Sequence, residues 1–402
     1  GRIHEYLVSA RLRREERQQE RIVIENAEFS GEAFINVAWS DYDFLHCHFP
    51  ASHHIFLTQL TNCNFIDCEF GPSANNDAMQ LGECRDVVFK RCKFNRGSVV
   101  FHGKARFESC EFYNKESSPP HARIIVHPYI LAGDEVTLVK CRKKGNFTWR
   151  GDKRLLLQDC VFGKSGRLGS GKRITGYPRE DDIHKEFTDH LPDFSFLDST
   201  FEDAEEVLWG AKLKTLTVRR CVAKEVFRMQ GLVVGEATLF EHLREGFFDL
   251  AGVSFEGKLS VKNCVFSATG KMMGSPKGAT WSFVCAGGVP KEALFERIVC
   301  RSDKAANLTA IEDGVVRDLA NPDFANEVFI VRDCQIPYLK INWLKTQHLY
   351  LENCEIGQLE IRDAQIGKLE IKNTKFERLD LSRTVAAEYA IDASGEITGM
   401  RS

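Results

Sequence analysis

The stretch His348–Thr384 reads "HLYLENCEIGQLEIRDAQIGKLEIKNTKFERLDLSRT". It holds seven dyads of the form inward–polar–inward, five residues apart: Leu349/Leu351, Cys354/Ile356, Leu359/Ile361, Ala364/Ile366, Leu369/Ile371, Thr374/Phe376 and Leu379/Leu381. Within a dyad the period of two puts both side chains on one face of a strand. A helix with a repeat of five would spread those residues around its whole circumference. A chain that runs straight for a few residues, turns a corner and runs straight again keeps every dyad pointing inward. Successive coils then stack through main-chain hydrogen bonds about 4.8 Å apart.

The first dyad residue alternates between large and small: Leu349, Cys354, Leu359, Ala364, Leu369, Thr374, Leu379. Four dyads make a coil of twenty residues, the spacing of Cys334 and Cys354. This predicts small residues stacked over small ones and Leu over Leu. The expected fold is all-β, a right-handed parallel β-helix of roughly 20-residue coils with an N-terminal α-helical cap and loop insertions.

The same grammar recurs upstream. Nine of the 14 cysteines stand in Cys-x-Phe or Cys-x-Ile: Cys47, Cys63, Cys68, Cys92, Cys110, Cys160, Cys264, Cys334 and Cys354. Ala364 and Thr374 fill the equivalent slot, so cysteine acts there as a small buried residue. Stacked core thiols rather than a disulfide framework point to a reducing, cytoplasmic setting, with delivery into another cell compatible with it.

The dyads that pair a small residue with Phe or Ile resemble the pentapeptide-repeat family: Cys63/Phe65, Cys68/Phe70, Cys354/Ile356, Ala364/Ile366 and Thr374/Phe376. The strict match covers only part of the chain, chiefly the C-terminal run. Leu349, Leu359, Leu369 and Leu379 depart from it, with a large residue where that family has a small one. The resemblance implies a right-handed β-helix that acts as a binding surface or scaffold, in some members as a bacterial effector.

The expected organisation is a helical cap over 1–22, coils over 23–162, a charged insertion over 163–206, coils with insertions over 207–384, and a tail or cap over 385–402. In the cap, Ile3, Leu7 and Ala10 share one side amid Arg and Glu. The net charge of -3 in 402 residues names no partner. No apolar run has membrane-spanning length. The chain begins at Gly1 rather than Met, which leaves room for a removed targeting segment.

Charge is nevertheless unevenly distributed. Residues 140–173 hold eleven Lys or Arg against Asp152 and Asp159, about +9. Residues 178–206 hold eleven Asp or Glu against Arg179 and Lys185, about -9. The basic block, with Phe147 and Trp149 for stacking, suits a polyanion such as nucleic acid. Alternatively, the acidic block folds back on it or both are solvated. Candidate binding residues are Lys143, Lys144, Trp149, Arg150, Lys172, Arg173 and Trp281.

Three other patterns bear on chemistry. "GRLGSGK" (166–172) fits G-x-x-x-x-G-K, but Arg173 follows where a P-loop has Ser or Thr. His46, His48, His53 and His54 lie near cysteines, but His46 and His48 alternate with Cys47 and should face outward. Neither a metal nor a cofactor is therefore expected. Asp41 and Asp43 in "SDYDF" are read as sharing one strand face, a spacing that could serve acid–base work on a glycosidic bond.

The leading functional expectation is a non-catalytic scaffold presenting a β-helix face and inserted loops to a protein partner, of effector, immunity or complex-assembly type. The alternatives are a β-helix carbohydrate-active enzyme using Asp41 and Asp43, and a nucleic-acid binder using 140–173. The sequence does not set the oligomeric state.

Overall fold

The computed structural model describes residues 21–29, 37–49, 57–71, 79–95, 99–113, 129–144, 147–162 and 167–168 in one compact unit. In a second unit it describes 191–202, 208–209, 212–230, 232–249, 254–266, 279–282, 290–301, 305–307, 326–342 and 344–399. Each unit is a parallel β-solenoid, and every assigned strand pair is parallel. Among the described residues there is no helix. The expected cap falls outside them except for its last two residues, and Ile22 already opens the strand Ile22–Glu25.

The coil length agrees with the repeat. In the second unit the register runs Phe329, Leu349, Leu369, Tyr389, steps of twenty residues. Leu359 stacks on Leu379. The steps Leu259 to Ala293 and Ala293 to Phe329 are 34 and 36 residues, so longer stretches of chain separate rungs that still meet in register. The sequence 163–206 is not wholly an insertion. Asp193–Leu197 and Thr200–Phe201 are strands, and Phe194, Phe196 and Phe201 are buried. The segment read as a tail or cap extends the sheet as the strand Val385–Thr398.

Two inward columns of phenylalanine fill the first unit's coils from Phe29 to Phe112. Phe44, Phe65, Phe89 and Phe107 stack with ring centroids 4.7, 4.8 and 4.8 Å apart. Phe29, Phe49, Phe70, Phe94 and Phe112 stack at 4.6, 4.8, 4.8 and 4.9 Å. The sheet spacing of about 4.8 Å dictates these distances, since identical side chains in register repeat at the strand separation. Across the core the two columns meet edge to face, as between Phe70 and Phe89 at 5.8 Å.

Among the described residues, twenty non-glycine residues at corners are left-handed, with φ between 46 and 61°. Twelve are Asn or Asp, whose short side chains tolerate this region best. The residue after such a corner turns inward, and here eleven of the thirteen described cysteines sit. Cys68, Cys92 and Cys110 donate from Sγ to the carbonyls of Phe44, Phe65 and Phe89 in the preceding coil, at 3.3, 3.2 and 3.3 Å. Thr384 makes the equivalent bond from Oγ1 to the carbonyl of Ile361. Cys, Ser199, Thr374 and Thr384 thus share the slot as small donors, while Val87, Leu243, Ile298 and Ala364 fill it as apolar residues without a donor. All thirteen described cysteines are buried free thiols. Burial pushes the Cys84 and Cys221 thiols up to about 12.

Candidate functional site

The outer face of the second unit's main sheet is built by the strands Asp193–Leu197, Lys212–Arg219, Val233–Glu241, Lys258–Lys262, Glu292–Glu296, Asn326–Arg332, Lys345–Glu352, Gln365–Asp380 and Val385–Thr398. Alternation along each strand sends every second side chain outward. Parallel in-register stacking then lines those side chains up in columns.

One column at the edge of this face reads Arg219, Glu241, Lys262, Glu296, Arg332, Glu352, Lys372, Asp392. The sign alternates at every rung. Arg219 Nε lies 2.6 Å from Glu241, Lys262 Nζ 4.0 Å and Arg332 Nη2 3.0 Å from Glu296, and Lys372 Nζ 3.9 Å from Glu352. Like charges one strand apart repel, and each opposite pair contributes roughly 0.2–1 kcal/mol. Glu296 is the most enclosed member. Its carboxylate is buried and also meets Arg297.

The neighbouring central column is different. Leu239, Ser260, Leu294, Ile330 and Tyr350 lie in register, each partly exposed. Burial and then the Glu352 carboxylate hold the Tyr350 hydroxyl above the usual tyrosine range. Beyond Tyr350 the column turns polar at Glu370, which meets Lys368 Nζ at 3.1 Å and His348 Nε2 at 3.4 Å. The face is thus an apolar strip beside a rail of mutually neutralised charges.

The residues singled out in the sequence fall elsewhere. Lys143 is not at the surface: its side chain is 2% exposed and occupies the column position of phenylalanine, in register between Phe112 and Phe162. Burial lowers its ammonium pKa to about 7. Its position two residues after Cys141 marks it as inward by the same grammar that reads Cys110/Phe112, a signal overlooked beneath the charge count. Lys144 ends the strand Arg142–Lys144. Trp149 and Arg150 lie in Phe147–Gln158, where Trp149 pairs with Leu131 and Leu168. Trp281 lies in Ala279–Ser282, in register with Phe248. Lys172 and Arg173 lie outside the described residues. Of the other basic-block residues, Lys153 sits 3.8 Å from Asp134.

Asp41 and Asp43 do not share a strand face. Asp41 is a left-handed corner with φ 61°, and its carboxylate accepts from Asn62 Nδ2 at 2.7 Å and Ser40 Oγ at 2.9 Å. Asp43 is on the strand beyond the corner. Arg21 clamps it through Nε at 2.9 Å and Nη2 at 2.6 Å, and Asn64 Nδ2 donates to it at 2.7 Å. His46 is an exposed corner, while His53 and His54 lie outside the described residues. Among the described residues no group of three or more His, Cys, Asp or Glu converges to hold a metal, and no helix is long and apolar enough to cross a membrane.

The fold defines a parallel β-solenoid with a columnar outer face. No protein-family model matches the chain, and no curated protein or solved structure shows detectable similarity to it.

Proposed function

We propose that this chain is a non-catalytic binding protein whose recognition surface is the outer face of the second unit. The observation that supports this most is the partly exposed column Leu239, Ser260, Leu294, Ile330, Tyr350, apolar except at Ser260, beside a rail of matched charges. Protein interfaces combine an apolar centre rich in Tyr with a polar rim, and this strip has that composition. The rail supplies little net charge, so attraction would come from the apolar column rather than from a polyanion's phosphates. The partner we infer is another protein, in an effector, immunity or complex-assembly role. We take the coils to wind right-handed, following the handedness rule for parallel crossovers. The buried free thiols support a reducing compartment.

The test is parallel capture from nuclease-treated extract by the wild-type chain and by Ile330→Glu, with circular dichroism to verify the fold. A stoichiometric protein retained by the wild type and lost with Ile330→Glu is the expected result. Equal retention by both would remove this face from recognition. Retention abolished by nuclease would instead favour a nucleic acid.

A further inference from the structure

Six cysteines of the first unit form one unbroken column: Cys47, Cys68, Cys92, Cys110, Cys141 and Cys160. The amide after each of the last five donates to the carbonyl of the cysteine one coil back, at 2.9–3.0 Å. All six are at most 2% exposed. Each Sγ lies 3.2–3.6 Å from a carbonyl oxygen of the preceding coil and 3.3–3.5 Å from the carbonyl two residues earlier. The same partners at every rung mean the same rotamer, so the sulfurs repeat at the rung spacing. Two residues on, Phe49, Phe70, Phe94 and Phe112 repeat at 4.8, 4.8 and 4.9 Å.

Packing alone does not demand cysteine at every rung. The same slot in the second unit runs Ser199, Cys221, Leu243, Cys264 and Ile298 before its one stacked pair, Cys334/Cys354. The first unit's neighbouring inward column runs Tyr42, Cys63, Val87, Ala105 and Val136. The spacing of the thiol column suits an ion that takes two sulfurs in line. Metal–sulfur bonds of about 2.3 Å, the length found for zinc, put the sulfurs of a linear site about 4.6 Å apart, within a few tenths of the ~4.8 Å between strands. A disulfide fits less well, because Cβ atoms that repeat at ~4.8 Å lie beyond the ~3.5–4.5 Å it requires. Zinc wants four converging ligands, and among the described residues no group of three or more converges. Soft thiolates select Cu(I). The one buried Lys or Arg among the described residues, Lys143, also turns inward two residues after Cys141, and positive charge beside thiols favours thiolate.

We propose that this column binds soft monovalent metal ions of the Cu(I) class, each held in line between two stacked thiolates: Cys47 with Cys68, Cys92 with Cys110, and Cys141 with Cys160. On binding, two thiols release two protons to solvent, two metal–sulfur bonds form, and the ion keeps its oxidation state. One negative charge remains on each filled pair. The ion enters when a coil opens locally, since the closed core shields every sulfur. By the same geometry Cys334/Cys354 takes a fourth ion. The site lies inside the coils and holds whether or not the outer face of the second unit recognises a protein.

The probe is Cu(I), supplied anaerobically to the reduced full chain from a bicinchoninate buffer. Bound copper is counted by mass spectrometry after desalting, its coordination is read by X-ray absorption, and circular dichroism follows the sheet. The expected result is four ions per chain, two sulfurs around each, and an unchanged β signal. Cys68→Ser, Cys110→Ser and Cys160→Ser should each lose one ion, and the triple variant should keep only one. Serine fits the slot, as Ser199 does, and if the triple variant misfolds the three single variants carry the test. Cys63→Ser and Cys221→Ser remove thiols that have no cysteine in register and should keep all four ions. Copper undiminished in the Cys68, Cys110 and Cys160 variants, three sulfurs per ion, loss of the β signal on loading, or no copper taken from bicinchoninate would each overturn the proposal. An equal loss in Cys63→Ser or Cys221→Ser would overturn it too, as adventitious binding by any thiol.

Discussion

Replacing Lys143 with Met should stabilise the first unit, and the gain should fade as pH rises. Lys143 occupies a phenylalanine position in the core at 2% exposure. Its pKa falls from the usual 10.5 to about 7, which at about 1.4 kcal/mol per pH unit sets a ceiling near 5 kcal/mol on the cost of burying the ammonium. The sign follows from proton counting. Between pH 7 and 10.5 the unfolded chain holds a proton that the folded chain has released. Wild-type stability therefore rises with pH through that window and is flat below about 7 and above 10.5. Met has the same unbranched reach and no charge, so Lys143→Met removes both the cost and the slope. Relaxation around the amine and the interactions it keeps in the folded chain lower that ceiling, and we expect the variant's advantage to be largest at pH 7 and below. Urea unfolding followed by circular dichroism, at pH 7 and pH 9.5 for both proteins, measures this. The variant's advantage should shrink by up to about 3 kcal/mol between those two pH values. Parallel pH dependence in the two proteins, or a variant less stable than wild type at pH 7, would refute the reasoning.

Three further outcomes are expected. Phe89→Ala removes a fully buried ring stacked 4.8 Å from both Phe65 and Phe107; it should cost roughly 3–5 kcal/mol in urea unfolding of the first unit, and a loss below about 1 kcal/mol would contradict the stacked core. Thr238 lies in a buried column between Leu216 and Leu259, and its hydroxyl has no hydrogen-bond partner. Thr238→Val should therefore raise stability by about 1 kcal/mol, and a destabilised variant would count against an orphan hydroxyl there. Thiol titration of the unreduced chain should return at least thirteen thiols in denaturant and almost none in native buffer; fewer in denaturant would mean disulfides.

The dyads of residues 348–384 determined the solenoid. A five-residue inward repeat fits only a chain that turns corners, and Cys-x-Phe carried the same pattern upstream. The alternation of Leu with Cys, Ala or Thr even set which residues stack. Composition could not give the register across coils whose loops differ in length, as between Leu259 and Ala293, 34 residues apart. Without register the rail from Arg219 to Asp392 is eight scattered charges. With it, they become neighbours one strand apart whose alternation has an electrostatic cause. The same limit misjudged Lys143 and the Asp41/Asp43 pair. Counting charge cannot tell an inward lysine from an outward one, and alternation along a strand fails where a left-handed corner intervenes, as it does at Asp41. Local pattern fixes which way a side chain faces within a coil. Only the stacking of coils decides what it faces.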